Sequence, residues 1–155
     1  MTSVRRCLVD SDILIDGLRK VEGAGEYLDS LGDWSYSIAS GMELFFGARS
    51  KKEMQAIEKS LASYQRIGFS PEIGELALDI VKKYAKSDGT SEFDAIIAAT
   101  AMTSGFTLAT RNQKHFRMSV ARFSRSCPQG APTQRSLRKI ATCSAAGRLF
   151  LSVVY

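Results

Sequence analysis

The stretch Cys7-Leu8-Val9-Asp10-Ser11-Asp12-Ile13-Leu14-Ile15-Asp16 decides the fold. Cys7-Leu8-Val9 is a short apolar run of the kind that forms a buried strand, and it stops at Asp10. Asp12 then precedes Ile13, Leu14, Ile15 and Leu18, whose spacing predicts a helix with Asp12 near its N-terminus. Gly23 and Gly25 break that helix, and a second short one carries Tyr27, Leu28 and Leu31. Trp34-Ser35-Tyr36-Ser37-Ile38 alternates apolar and polar residues and reads as a second strand. A helix is expected from about Gly41, with Met42, Phe45 and Phe46 facing inward as core or forming a dimer surface, and Arg49 to Lys52 outward. It continues over 53–65, where Met54, Ile57, Leu61 and Tyr64 keep the spacing of a buried stripe.

Beyond this point the alternation repeats. Ile67-Gly68-Phe69 suggests a short strand, and Ser70-Pro71-Glu72 is a helix start with Pro in the first turn. Ile73, Leu76, Ile80 and Tyr84 supply that helix with a buried face, and Lys86 to Thr90 reads as a loop. Ser91 opens another helix through Phe93, Ile96, Ile97 and Ala101, closed by Gly105, and Phe106 to Thr110 is a last strand. Strands alternating with helices predict an α/β layer fold with a mostly parallel sheet. From about Arg117 the periodicity fails. Residues 117–155 read as an irregular tail that mixes Ser, Arg, Pro, Gly, Gln and Ala up to a short apolar end at Leu149–Val154.

With 155 residues, 45% of them hydrophobic and 24% charged, the chain suits one domain with a real core. No run approaches the roughly 20 apolar residues of a membrane span, and the N-terminal apolar stretch ends too soon for a signal peptide. Cys7, Cys127 and Cys143 are odd in number and far apart, which predicts reduced thiols in a cytoplasmic protein. The net charge of +5 is unevenly placed. Residues 1–116 hold 14 Lys and Arg against all 16 Asp and Glu, while residues 117–155 hold seven basic residues and no acid. A mildly acidic body suits cation binding by carboxylates; the tail is either solvated or attractive to phosphate.

In a parallel sheet, ligands bind at the carboxyl ends of the strands. Asp10 ends the first strand there, Glu43 is expected in the first turn after the second, and Asp94 in the first turn of the helix preceding the last. Asn112 follows the end of that last strand, so four oxygen-bearing side chains converge on one edge; Asp12 would add a fifth. Clustered carboxylates raise one another's pKa unless a cation neutralises them. Oxygen ligands without His or Cys favour Mg²⁺ or Mn²⁺ over zinc, and such an ion suits phosphodiester hydrolysis. Each acid also has a structural reading. Ser40-x-x-Glu43 and Ser91-x-x-Asp94 both fit a capping box, Asp10 fits a turn and Asp12 an N-cap. Three acids at the same kind of strand–helix edge favour the functional reading.

The segments LVDSDILIDGLR, SGMELFFGAR, EFDAIIAATA and TLATRNQKHF together resemble the PIN-domain ribonucleases, specifically the VapC-type toxins of bacterial toxin–antitoxin pairs. The resemblance covers residues 4–116 and implies a three-layer α/β/α nuclease domain over 1–116. It implies that Asp10, Glu43 and Asp94 bind Mg²⁺, with Mn²⁺ a substitute, and position the attacking water. Asn112 falls where many members place a fourth acid; without its charge, one metal ion or two stay open. A homodimer and inhibition by a VapB-type antitoxin are also implied. Arg19, Arg111 and Lys114 are candidate contacts to RNA phosphate, against the reading of solvated surface charge. Ser11 and Thr110 are candidate hydrogen-bond partners of a metal-bound water, against the reading that strand-end hydroxyls satisfy backbone, and His115, the only histidine, is expected to pack or face solvent.

The tail departs from the family, which implies a short edge strand soon after Lys114-His115-Phe116. A frameshift past codon 117 and a real extension that binds RNA or antitoxin are the two readings of it. Two other functions compete. Asp10-Ser11-Asp12 also resembles the opening of haloacid-dehalogenase-type phosphatases, with Asp10 as nucleophile and Asp12 as acid/base. A silenced toxin that only binds antitoxin is the non-enzymatic alternative.

Overall fold

The computed structural model describes residues 6–112, 114–116 and 151–152. Its sheet is built from β1 (Cys7–Val9), β2 (Trp34–Ser37), β3 (Gln65–Ile67), β4 (Thr107–Ala109) and β5 (Leu151–Ser152), in the spatial order β3-β2-β1-β4-β5. Every pairing among the described strands is parallel. β1, β2 and β4 are buried along their whole length, so the serines of β2 are enclosed with its aromatic residues.

The helices are α1 (Ser11–Leu18), α2 (Ala24–Ser30), α3 (Ile38–Phe46), α4 (Lys51–Leu61), α5 (Pro71–Asp88) and α6 (Glu92–Ser104). Successive strand residues point to opposite faces. Leu8 and Leu108 pack with Ile73, Ala77 and Ile80 of α5 and the alanines of α6 in one core. Cys7, Val9 and Ala109 pack with Ile13, Leu14, Tyr27, Leu44, Ile57 and Leu61 in the other. The result is the expected three-layer α/β/α sandwich. Ala95, Ala98, Ala99 and Ala101 are fully buried, and their small side chains let α6 lie close to its neighbours.

Several boundaries differ from expectation for local reasons. α1 begins at Ser11 with Asp12 in its first turn as expected, but Asp10 and not Asp12 is its N-cap, accepting the Ser11 N–H at 2.7 Å. α3 begins at Ile38 and not at Gly41, because Ser37 is the N-cap and accepts the Ser40 N–H at 2.9 Å. β2 therefore runs straight into α3. The inward face also differs: Ala39, Ser40 and Leu44 are buried, while Met42 is 55% and Phe46 95% exposed. Only Phe45 of the expected inward trio packs against the core. Residues 47–50 separate α3 from α4, where Met54 is exposed but Ile57 and Leu61 are buried. α5 runs on through the expected loop to Asp88, ending at Gly89, whose φ of 68° is the left-handed conformation that glycine adopts without strain. Ser70 and Ser91 cap α5 and α6, and Gly105 closes α6 as read. The expected tail falls largely outside the described residues. Leu151–Ser152, within the apolar end singled out above, pairs with β4 at the edge of the sheet.

Candidate active site

The register of the central strands builds the first part of the site. Val9 pairs with Ala109, so the next residues, Asp10 and Thr110, emerge side by side at the carboxyl ends of β1 and β4. Both are buried. The Thr110 hydroxyl donates to Asp10 Oδ2 at 2.6 Å, and the Ser11 N–H and hydroxyl donate to Oδ1 at 2.7 and 3.3 Å. Thr110 Oγ1 in turn accepts the backbone N–H of Asn112 at 3.0 Å.

Asp94 comes from the N-terminus of α6, where the expected capping box is complete. Its N–H donates to Ser91 Oγ, and its Oδ2 accepts the Ser91 N–H, both at 3.1 Å. The second expected box is absent. Glu43 lies in the second turn of α3, and Ser40 serves the Ser37 cap, with the two hydroxyls 3.0 Å apart. Glu43 thus has no capping duty. Its Oε2 is buried and without a hydrogen-bond partner among the described residues.

Electrostatics place these acids in one field. Burial pushes the Asp10 carboxyl up from 3.8 to about 8, with Asp12 and Asp94 adding repulsion, against the lowering effect of its hydrogen bonds from Thr110 and Ser11. Glu43 is raised by burial and then by the charges of Asp94 and Asp12, while the Ser11 side chain opposes the shift. Asp12 is also raised, by burial first, but it turns to the backbone. Its Oδ1 accepts the Ile13 N–H at 2.6 Å and its Oδ2 the Arg111 N–H at 2.9 Å. Among the described residues, no three acidic, imidazole or thiol groups stand together as a ready-made metal cage. The donor set nevertheless fits a hard divalent cation. Asp10, Glu43 and Asp94 bring carboxyl oxygens from three elements, their mutual repulsion would be relieved by positive charge, and one buried oxygen of Glu43 is unclaimed.

Residues 7–120 match the PIN domain family. This chain belongs to that family, in its VapC branch. It is 36% identical to ribonuclease VapC10 of Mycobacterium tuberculosis over 115 residues, 72% of this chain and 86% of that protein. A toxin–antitoxin complex from Klebsiella pneumoniae superimposes with a TM-score of 0.63 at 30% identity, covering 71% of this chain and 89% of the other. A DNA-bound VapBC from Salmonella typhimurium shares the fold, with a TM-score of 0.64 at 19% identity over 73% and 91% of the two chains. PIN ribonucleases are in general dependent on a divalent metal. With this membership the phosphatase reading of Asp10-Ser11-Asp12 falls, and in the fold Asp12 is committed to the Ile13 and Arg111 amides.

The PIN fold also brings in residues the sequence left outside. His115 neither packs away nor simply faces water: its Nδ1 lies 3.1 Å from Asp94 Oδ2 and 2.9 Å from the Asn112 side-chain nitrogen. Asn112 therefore joins the site through His115 and Thr110. Asp16, not singled out before, holds the Arg111 guanidinium, which also lies 3.9 Å from Asp12. Arg111 is thus tied to α1, whereas Arg19 at the C-cap of α1 and Lys114 are exposed. The quoted segment TRNQKHF contained His115, but only the fold puts it against α6.

Proposed function

We infer that this PIN-domain chain is the toxin of a toxin–antitoxin pair and cuts RNA as a Mg²⁺-dependent endoribonuclease. The observation that supports this reading is that buried Asp10 and half-buried Glu43 both feel the charge of half-buried Asp94, in a chain of the VapC type. Those three carboxylates would hold the ion, with the Asn112 amide as a neutral fourth ligand. Mn²⁺, with the same preference for oxygen, would substitute. Bound there, the ion would orient the phosphodiester and favour ionisation of the attacking water. The chain's own residues prepare the ligands: Thr110 and Ser11 fix Asp10, while Ser91 fixes Asp94.

The remaining readings follow from the surface. Arg19 and Lys114, exposed near the site, are candidate phosphate contacts, and Arg111 becomes one on exchanging its hold on Asp16. An apolar groove of about 1010 Å³ beside Glu43, lined by Ile15, Met42, Phe45, Phe46 and Phe93, supports a VapB-type antitoxin as partner. Exposed Met42 and Phe46 equally support a homodimer. Residues 1–116 would be the nuclease domain and 117–155 a basic tail. No helix among the described residues is long and apolar enough to cross a membrane. An RNA substrate and the buried Cys7 thiol, pushed up to about 12 by desolvation, suit the cytoplasm.

The test is cleavage of total cellular RNA by the purified chain with Mg²⁺ or EDTA, beside Asp94→Asn. Discrete cuts that need both the metal and Asp94 are expected. A folded chain that binds antitoxin but cuts no RNA would replace this reading with that of a silenced toxin.

A further inference from the structure

His115 occupies a position that its neighbours fix from both sides. Phe116 beside it is fully buried in the core shared with Leu8, Leu108 and Ile73. The His115 carbonyl accepts the hydroxyl of buried Thr90 at 3.3 Å, and Thr90 directly precedes the Ser91 cap of α6. The turn at 114–116 is therefore docked against the start of α6, with the imidazole beside Asp94 and Asn112.

With Asp94 ionised, the hydrogen-bond chemistry at Nδ1 favours one assignment. A neutral imidazole nitrogen either donates or accepts, and a carboxylate only accepts. At 3.1 Å from Asp94 Oδ2, a bare Nδ1 would set two lone pairs against each other. Nδ1 therefore carries a proton and donates it to Asp94. The Asn112 amide atom 2.9 Å away must then be an acceptor, so the amide is turned with its oxygen toward the ring. Oδ2 of Asp94 thus receives two donors, the Ser91 N–H and the His115 N–H, and the carboxylate is held in one rotamer.

We propose that His115 is a positioning residue of the nuclease: its Nδ1–H fixes the Asp94 carboxylate and the Asn112 amide in the arrangement that binds the metal ion. This rests on the reading of Asp94 as a metal ligand. Groups that orient ligands in this way govern affinity for the ion more than the stability of the fold.

The test uses the full untagged chain, in which His115 is the only histidine, so its ring signals need no assignment. Ring ¹⁵N spectra of the wild-type protein are expected to show Nδ1 protonated; a bare Nδ1 overturns the proposal without any mutation. His115→Leu removes the donor, whereas His115→Asn puts an amide N–H where Nδ1 stood. Mn²⁺ binding, followed by paramagnetic resonance, should weaken roughly 10- to 100-fold in His115→Leu and recover to within about fivefold in His115→Asn. Melting in EDTA should be similar in all three. Wild-type Mn²⁺ affinity in folded His115→Leu, or equal losses in both variants, would refute a positioning role. Asp94→Asn separates the two levels of inference. If it abolishes Mn²⁺ binding and cleavage while His115→Leu matches wild type, the metal site stands and the role of His115 falls. If wild type and Asp94→Asn both fail to bind Mn²⁺, the reading of the site falls and takes this one with it.

Discussion

Replacing Asp10 with Asn should remove much of the pH dependence of the metal-free fold. In the folded chain burial and the charges of Asp12 and Asp94 carry the Asp10 carboxyl to about 8, whereas in the unfolded chain it titrates at about 3.9. Between those values the folded state holds a proton that the unfolded state has lost, so stability falls as pH rises through that window. The slope is at most about 1.4 kcal/mol per pH unit, which sets a ceiling of about 4 kcal/mol lost between pH 5 and pH 8. Asp12 and Glu43 are shifted the same way and add to the slope, so the difference between wild type and variant reports Asp10 together with its interaction with Asp12. Asn suits the position. Its amide oxygen can accept the Ser11 N–H as an N-cap, and its amide nitrogen can donate to the Thr110 hydroxyl.

Urea denaturation in EDTA at pH 5 and pH 8, at constant ionic strength, measures both slopes. The wild type should lose stability over this range and Asp10→Asn much less, which makes the variant the more stable of the two at pH 8. The same proton must leave when a cation binds. Calorimetric titration with Mg²⁺ at pH 7, in buffers of different ionisation enthalpy, should report release of about one proton from wild type. Equal pH slopes in the two proteins, or metal binding with no proton released, would refute the assignment of a protonated, buried Asp10.

Other substitutions test the scaffold around it. Ser91→Ala removes the side-chain acceptor of the Asp94 N–H in the α6 capping box and should cost about 0.5–2 kcal/mol in urea melts. The backbone N–H of residue 91 still holds Asp94 Oδ2, so Mg²⁺ binding should change little. Phe116→Ala empties a fully buried site and should cost about 3–5 kcal/mol, enough to loosen the turn that carries His115. Phe46→Ser, at a residue 95% exposed, should change the stability of the free chain by less than about 0.5 kcal/mol. The same variant should reduce antitoxin binding or dimerisation, read by size-exclusion chromatography of the coexpressed pair.

Much of this architecture was legible because local chemistry and fold agree. Ser70-Pro71 and Ser91 start helices wherever they are met, and Gly105 ends one, so the frame of α5, α6 and β4 follows from short-range rules. The reading slipped where two local signals competed. Ser37 and Ser40 are both plausible caps three residues apart, and choosing the later one started α3 three residues late. That choice gave Glu43 a capping duty it does not have, while apolar character alone put exposed Met42 and Phe46 on the inward face. Correcting it strengthens the functional case. An acid in the second turn of a helix is not needed to cap it, and its unpartnered buried oxygen has no structural excuse.

The contacts within the site divide by what they require. In a parallel sheet, two residues each one step beyond a paired position must be neighbours. Once β1 and β4 are adjacent in the register Val9–Ala109, contact between Asp10 and Thr110 follows from geometry. Helix–strand alternation predicts a parallel sheet without stating which strands adjoin, so this contact awaited the strand order. His115 required more: the same strand order, burial of Phe116, and the hydrogen bond from Thr90 that brings the turn back to α6. None of these has a periodic signature. The residues that carry charge at the site announce themselves by type and spacing. Those that orient the charge depend on tertiary docking, and a lone histidine beside a buried phenylalanine is where such docking should be sought.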